Sequence, residues 1–141
     1  MIRQMCIKPV VTASAETTIA KAAQLMRARN VGALVVAKNG KAKGLLTDRD
    51  IAVDVVAKGK DPATVRVGQV MRRPPTVIRE NQGILDATKL LGAKGVRRLP
   101  VVNKGGKLVG ILALDDVLML LGSEMGNVAT ALSRGLRRAR L

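Results

Sequence analysis

The chain has 141 residues, 48% of them hydrophobic, and 25 basic against 10 acidic residues give a formal net charge of +15, with Phe, Tyr, Trp and His all absent. That length and apolar content fit one compact domain with an aliphatic core. The missing rings argue against base-stacking recognition of RNA or single strands, the missing imidazole removes the commonest metal ligand and general base, and Cys6, the lone cysteine, rules out an intramolecular disulfide or a cysteine zinc site.

Cys6 is expected to be a buried, inert thiol. The most apolar window, Leu108 to Leu121, is broken by Asp115-Asp116 and is too short to span a bilayer. The first residues lack an apolar run after a basic start, so a cytoplasmic protein with no membrane partner is the expectation. The positive surplus implies anionic partners, whether nucleotide phosphates, nucleic acid or an acidic protein, or else serves solubility alone.

Residues 1–8 read as a lead-in, and Pro9 opens an extended run, Val10-Val11-Thr12. Ile19, Ala22, Ala23, Leu25, Met26 and Ala28 recur at helical spacing, which predicts an amphipathic helix over 17–29. Ala33 to Ala37 is a continuous apolar run of strand length. Asn39-Gly40 is a hairpin signal, and Gly44-Leu45-Leu46 is the returning strand. Thr47 then opens a second helix that runs to about Ala57 and stops at Lys58-Gly59. Lys60 to Thr64 is a linker, and Val65 to Met71 is read as a short helix.

The pattern then restarts. An offset of 65 brings Pro9 onto Pro74, Ile19 onto Ile84, Leu25 onto Leu90 and Val36 onto Val101. One extra residue in the second hairpin, Asn103-Lys104-Gly105-Gly106, changes the offset to 66, so Gly44 meets Gly110 and Asp50 meets Asp116. A single-residue insertion confined to a turn is what a structural duplication tolerates. Residues 123–141 lie outside the repeat. Met125, Val128, Ala129, Leu132 and Leu136 form an apolar stripe at helical spacing, expected to dock on the body or on a second copy. Arg134, Arg137, Arg138 and Arg140 follow the stripe with no acid among them. They are either a solvated tail or an anion-facing patch.

Each repeat turns on one strand–helix corner. In Gly44-Leu45-Leu46-Thr47-Asp48-Arg49-Asp50-Ile51, a hydroxyl and a carboxylate share the first helical turn beside free backbone N–H groups. Such a corner can hold an anion, and a carboxylate there can accept hydrogen bonds from a ribose diol. It is equally a capping-box variant that needs no ligand. Arg97 and Arg98, just before the Leu99-Pro100-Val101 strand, are the best cationic candidates for a phosphate, with Arg49 another.

Three stretches resemble the CBS motif, named after cystathionine β-synthase. They are Asn30 to Val36 with its counterpart Val96 to Val102; Gly44 to Asp50, which fits Gly-h-h-Thr/Ser-x-x-Asp, where h is apolar; and Gly110 to Asp116, which fits it less fully. Val70-Met71-Arg72-Arg73-Pro74 is similar to the lead-in of such a repeat. The resemblance implies an α/β (α+β) fold of tandem repeats, each a small mixed sheet flanked by two helices, packed with pseudo-two-fold symmetry. The expected divisions are 1–59 (first repeat with its lead-in), 60–71 (linker and lead-in helix), 72–122 (second repeat) and 123–141 (basic C-terminal helix). The resemblance also implies a homodimeric disc of four repeats. Clefts between the repeats would take AMP, ADP, ATP or S-adenosylmethionine as regulatory ligand, with no cofactor required.

Carried onto this chain, the motif makes Asp50 the ribose ligand and Thr47 a phosphate ligand in one cleft, and Asp116 the ribose ligand in the other. At that second corner Ala113 stands where Thr47 does. Two outcomes stay open there: a nucleoside held without the hydroxyl contact, or no ligand. The base is expected near the end of a first strand, at Val11, Thr12 and Ala13 or at Val77 and Ile78. The leading function is thus a regulatory module that binds an adenosyl ligand and signals to an effector protein by a conformational change. The alternative is a nucleic-acid-associated protein that uses the basic surface and tail, with phosphate contacts dominating. An enzyme is disfavoured, because no nucleophile–base pair, metal cluster or catalytic residue can be assigned.

Overall fold

In the computed structural model, which describes residues 1–139, the Thr18 hydroxyl accepts the Lys21 N–H at 3.3 Å and caps α1 (Ile19–Arg29). Asn30 ends that helix in the left-handed region at φ 52°. β2 (Ala33–Lys38) follows, and Asn39 and Gly40, with φ of 53° and 75°, turn the chain directly into β3 (Lys41–Thr47). Two residues, Thr12–Ala13, form β1 and lie parallel to β2, so the first sheet has the order β1-β2-β3. α2 (Asp48–Ile51) passes into a π-helical segment, Ala52–Val56.

The second repeat copies this plan with β4 (Ile78–Arg79), α3 (Ile84–Lys94), β5 (Arg98–Val102) and β6 (Leu108–Ala113), in the sheet order β4-β5-β6. Its strand register is the expected one: Ala13 faces Val36 as Ile78 faces Val101, and Val36 faces Gly44 as Val101 faces Gly110. The fold is therefore α/β, with two three-stranded mixed sheets, each flanked by helices.

The lead-ins are exchanged between the repeats. Each contains a single 3-10 turn, Ile2–Gln4 and Val67–Gln69. Ile2 is fully buried in the second repeat's core with Ile78, Leu91, Leu99 and Leu112. Val67 is fully buried in the first repeat's core with Ile19, Leu34, Leu46 and Val55. Burying an aliphatic side chain of this size contributes about 1.5–3 kcal/mol, so each core depends on the other repeat's lead-in. Just beyond, Ile7 pairs with Ile111 through bonds of 2.8 and 3.1 Å, and Arg72 pairs with Leu45 through bonds of 2.9 and 3.0 Å. The sequence reading grouped residues 1–8 with the first repeat, yet their buried side chain lies in the second.

This exchange explains the motif glycines. A Cβ added at Gly44 would lie 2.7 Å from Met71 Sδ and 2.9 Å from the Arg72 carbonyl oxygen. One at Gly110 would lie 2.5 Å from Cys6 Sγ. Cys6 is half-buried rather than buried, because it crosses over β6 at that glycine instead of entering the core.

α4 (Leu114–Ala139) is one continuous helix. It joins the second repeat's last helix to the segment read as a separate terminal helix. Every residue from Leu121 to Arg138 is exposed, so the stripe does not dock on the body. Arg140 lies outside the described residues.

Candidate functional site

The corner after β3 closes as a reciprocal capping box. Thr47 Oγ1 accepts the Asp50 N–H at 3.1 Å, and Asp50 Oδ2 accepts the Thr47 N–H at 2.9 Å. Asp50 is 1% exposed, and its other oxygen, Oδ1, accepts Arg72 Nε at 3.0 Å. Arg72 comes from the exchanged lead-in and keeps 70% of its side chain exposed. The buried carboxylate is thus satisfied by a backbone donor and by a guanidinium that reaches in from the surface.

Around this corner lies a cleft between the repeats, about 440 Å³ in volume. The first repeat contributes Leu45, Thr47, Asp48 and Arg49; the second contributes Gly95, Val96, Arg97, Arg98 and Asp115; Arg72 bridges them. Four guanidinium groups therefore face two carboxylates and a hydroxyl. Arg97 is partly held by Asp115, at 3.5 Å, but both side chains are more than 70% exposed, so that pair is weak. Gly32 makes room for the others: a Cβ there would lie 3.0 Å from Asp48 Oδ2 and 3.2 Å from Arg98 Nη2. Converging guanidinium groups beside a helix start suit a phosphate-bearing anion, which they can grip with forked hydrogen bonds.

The internal repeat supplies a second cleft, and its chemistry is different. At the positions of Arg72, Arg98 and Leu45 it has Ile7, Ala33 and Ile111, and its other lining residues are Pro9, Val10, Val11 and Val31. It is apolar and only about 90 Å³ in volume. Gly32 stands where Arg97 does, and Ala113 where Thr47 does. Beside it, Asp116 is half-buried, and its Oδ2 has no hydrogen-bond partner among the described residues. A phosphate would meet no cation on these walls.

The structure thus brings Thr47, Arg49, Arg97 and Arg98 to one cleft, with Asp50 directly beneath. It does not bring the other sequence candidates there. Ile78 is 1% exposed and packs in the second core. Thr12 is exposed, and Ala13 packs against the first core. A further cavity of about 520 Å³ begins just past them, lined by Ser14, Glu16, Lys38, Lys43 and Arg73. It is larger, but it lacks the helix-start corner and the converging guanidinium groups. Sequence reasoning missed Arg72, Asp48 and Asp115. For Arg72 there was a signal: the duplication sets it opposite Ile7, a cation against an apolar residue.

Comparison with known proteins is consistent with this architecture. The CBS domain family profile matches residues 2–56 and 67–123. The CBS domain-containing protein YhcV of Bacillus subtilis is 42% identical over 118 residues, which cover 84% of this chain and 81% of that protein. The chain spans less, 61%, of an uncharacterized protein of Methanopyrus kandleri, MK0525. Two solved structures share the fold. The CBS domain pair of protein MJ0100, in complex with 5'-methylthioadenosine and S-adenosyl-L-methionine, has a TM-score of 0.79 at 24% identity, covering 88% of this chain and 97% of that one. PAE2072 from Pyrobaculum aerophilum, complexed with AMP, has a TM-score of 0.77 at 22% identity, covering 86% and 98%.

Proposed function

The chain belongs to the CBS-domain family, and we propose that it is a non-catalytic regulatory module that binds a phosphate-bearing adenosyl ligand in its arginine-lined cleft. One observation carries the reading: Arg49, Arg72, Arg97 and Arg98 from both repeats line one cleft with Thr47, and Arg72 reaches Asp50 at its edge. The adenosyl part of the proposal draws on the ligands of the two structural relatives.

Binding is an exchange of partners. The ribose diol donates to Asp50, and Arg72 leaves that carboxylate for the ligand's phosphate. Arg72 can do so at small cost because most of its side chain is already in water. The phosphate also meets Arg97 and Arg98 on the opposite repeat, so the ligand ties the two repeats together across the cleft. It shifts their relative angle only by its differential affinity for the two arrangements. An effector protein reads that shift.

The test is a dye-monitored thermal shift with AMP, ADP, ATP, S-adenosylmethionine and adenosine. A dye is needed because the chain has no Trp or Tyr. A ligand at ~100 times its dissociation constant adds about 2.7 kcal/mol of stability. A phosphate-bearing nucleotide is expected to raise the midpoint, and Arg98→Ala to abolish most of that rise. An equal rise with adenosine, or a rise undiminished in Arg98→Ala, refutes the phosphate assignment. A salt-sensitive rise with a short DNA duplex, and none with any nucleotide, moves the function to the basic surface.

A further inference from the structure

The exposed part of α4 is organised as a pairing seam. Leu118, Leu121, Met125, Val128 and Leu132 follow one another in alternating steps of three and four residues, the spacing of a and d positions in a coiled coil. All five are exposed, Met125 by 73% and Leu132 by 65%. The seam is narrow, as a helix–helix contact requires. A helix lying in a membrane interface presents a broader apolar face. The segment is also poorly able to stand alone. Gly122, Gly126 and Gly135 each weaken it relative to Ala, and no packing from the body offsets this among the described residues. Covering the seam offsets that weakness.

We propose that the cover is the same segment of a second copy, running antiparallel. Size and charge both select this arrangement. Gly135 interrupts the seam at a d position, with Leu136 beside it. In a parallel pair Gly135 would face Gly135 and leave a hole, and Arg134, Arg137 and Arg138 of both copies would gather at the same end of the pair. In the antiparallel register that sets Val128 against the second copy's Leu132, Met125 fills the space over the second copy's Gly135. Leu136 lies on the second copy's Gly122, and Glu124 flanks the second copy's Arg138. Large residues meet small ones, and an acid meets a base. Two Ala131 residues meet near the two-fold axis, where their small side chains permit close approach. The CBS bodies project from opposite ends of the pair. This inference does not depend on the ligand reading.

Two measurements on the full chain test it. In sedimentation, the double variant Met125→Glu/Leu132→Glu is expected to halve the wild-type mass while leaving the body's thermal transition in place, because both side chains are exposed in the single chain. An unchanged mass overturns the proposal, as does a wild-type monomer that instead binds anionic vesicles. Orientation is read by oxidation in a Cys6→Ser background, which removes the native thiol. Ala131→Cys is expected to cross-link to itself, and Met125→Cys to cross-link to Gly135→Cys when the two proteins are mixed. Efficient self-cross-linking of Met125→Cys, without the mixed product, overturns the antiparallel register.

Discussion

Replacing Gly44 by Ala tests the exchanged lead-ins directly. The new Cβ would lie 2.7 Å from Met71 Sδ, 2.9 Å from the Arg72 carbonyl oxygen and 3.1 Å from Met71 Cγ. The Met71 thioether can turn aside. The carbonyl cannot, because Arg72 and Leu45 exchange two backbone hydrogen bonds of 2.9 and 3.0 Å at that point. The lead-in must therefore lift from β3, which strains those bonds and draws Val67 from the first core. Overpacking of this kind costs about 1–3 kcal/mol, and contact with backbone puts this case near the top of the range. For a domain of this size that lowers the melting midpoint by roughly 8 °C.

Gly110→Ala is the internal control. Its Cβ would meet Cys6 Sγ at 2.5 Å, but the nearest backbone atom, Ile7 O, stands back at 3.3 Å. Cys6→Ala should therefore recover much of the Gly110→Ala loss, whereas Met71→Ala recovers little of the Gly44→Ala loss. Dye-monitored melts of the two double-mutant cycles measure both couplings. A Gly44→Ala protein that melts with the parent, or strict additivity at Cys6 and Gly110, refutes the crossing geometry.

Further outcomes follow from the two corners. Thr47→Ala removes the cap from α2 and should cost about 1 kcal/mol by urea titration. The reverse change, Ala113→Thr, supplies the missing cap to the Asp116 N–H and should gain a similar amount; a loss would show that the second corner does not share the first one's geometry. Arg72→Met leaves Asp50 buried with only its backbone donor. The cost falls between the buried-pair and exposed-pair limits, about 1–2 kcal/mol, because Arg72 itself is largely exposed; a neutral result would show that water replaces the guanidinium fully. Nucleotide titration of Arg97→Ala and of Arg98→Ala should show weakened binding in both, since both line the cleft; unchanged affinity in both refutes the phosphate site.

The duplication, the hairpin and the helix caps were legible because each is set by neighbours in the chain. Asn39-Gly40 specifies its turn through two positive φ angles. Thr18 and Thr47 mark helix starts because their hydroxyls reach N–H groups only three residues on. Thr47 and Asp50 were also readable as a plain capping box, and the structure forms that box in full. The expected division between residues 122 and 123 is not a break in the helix. A glycine weakens a helix without ending it, and α4 runs through.

What the sequence by itself determined is the repeat, the order of its elements, the aliphatic core and the corner residues Thr47 and Asp50. Only tertiary structure decided that each repeat completes the other's core, that Arg72 covers Asp50 from 22 positions away, and that one cleft is cationic while its counterpart is apolar. The physical reason is range. Turns and caps answer to contacts a few residues apart, whereas the clefts are built from the lead-in of one repeat and the corner of the other, which meet only after both sheets have packed.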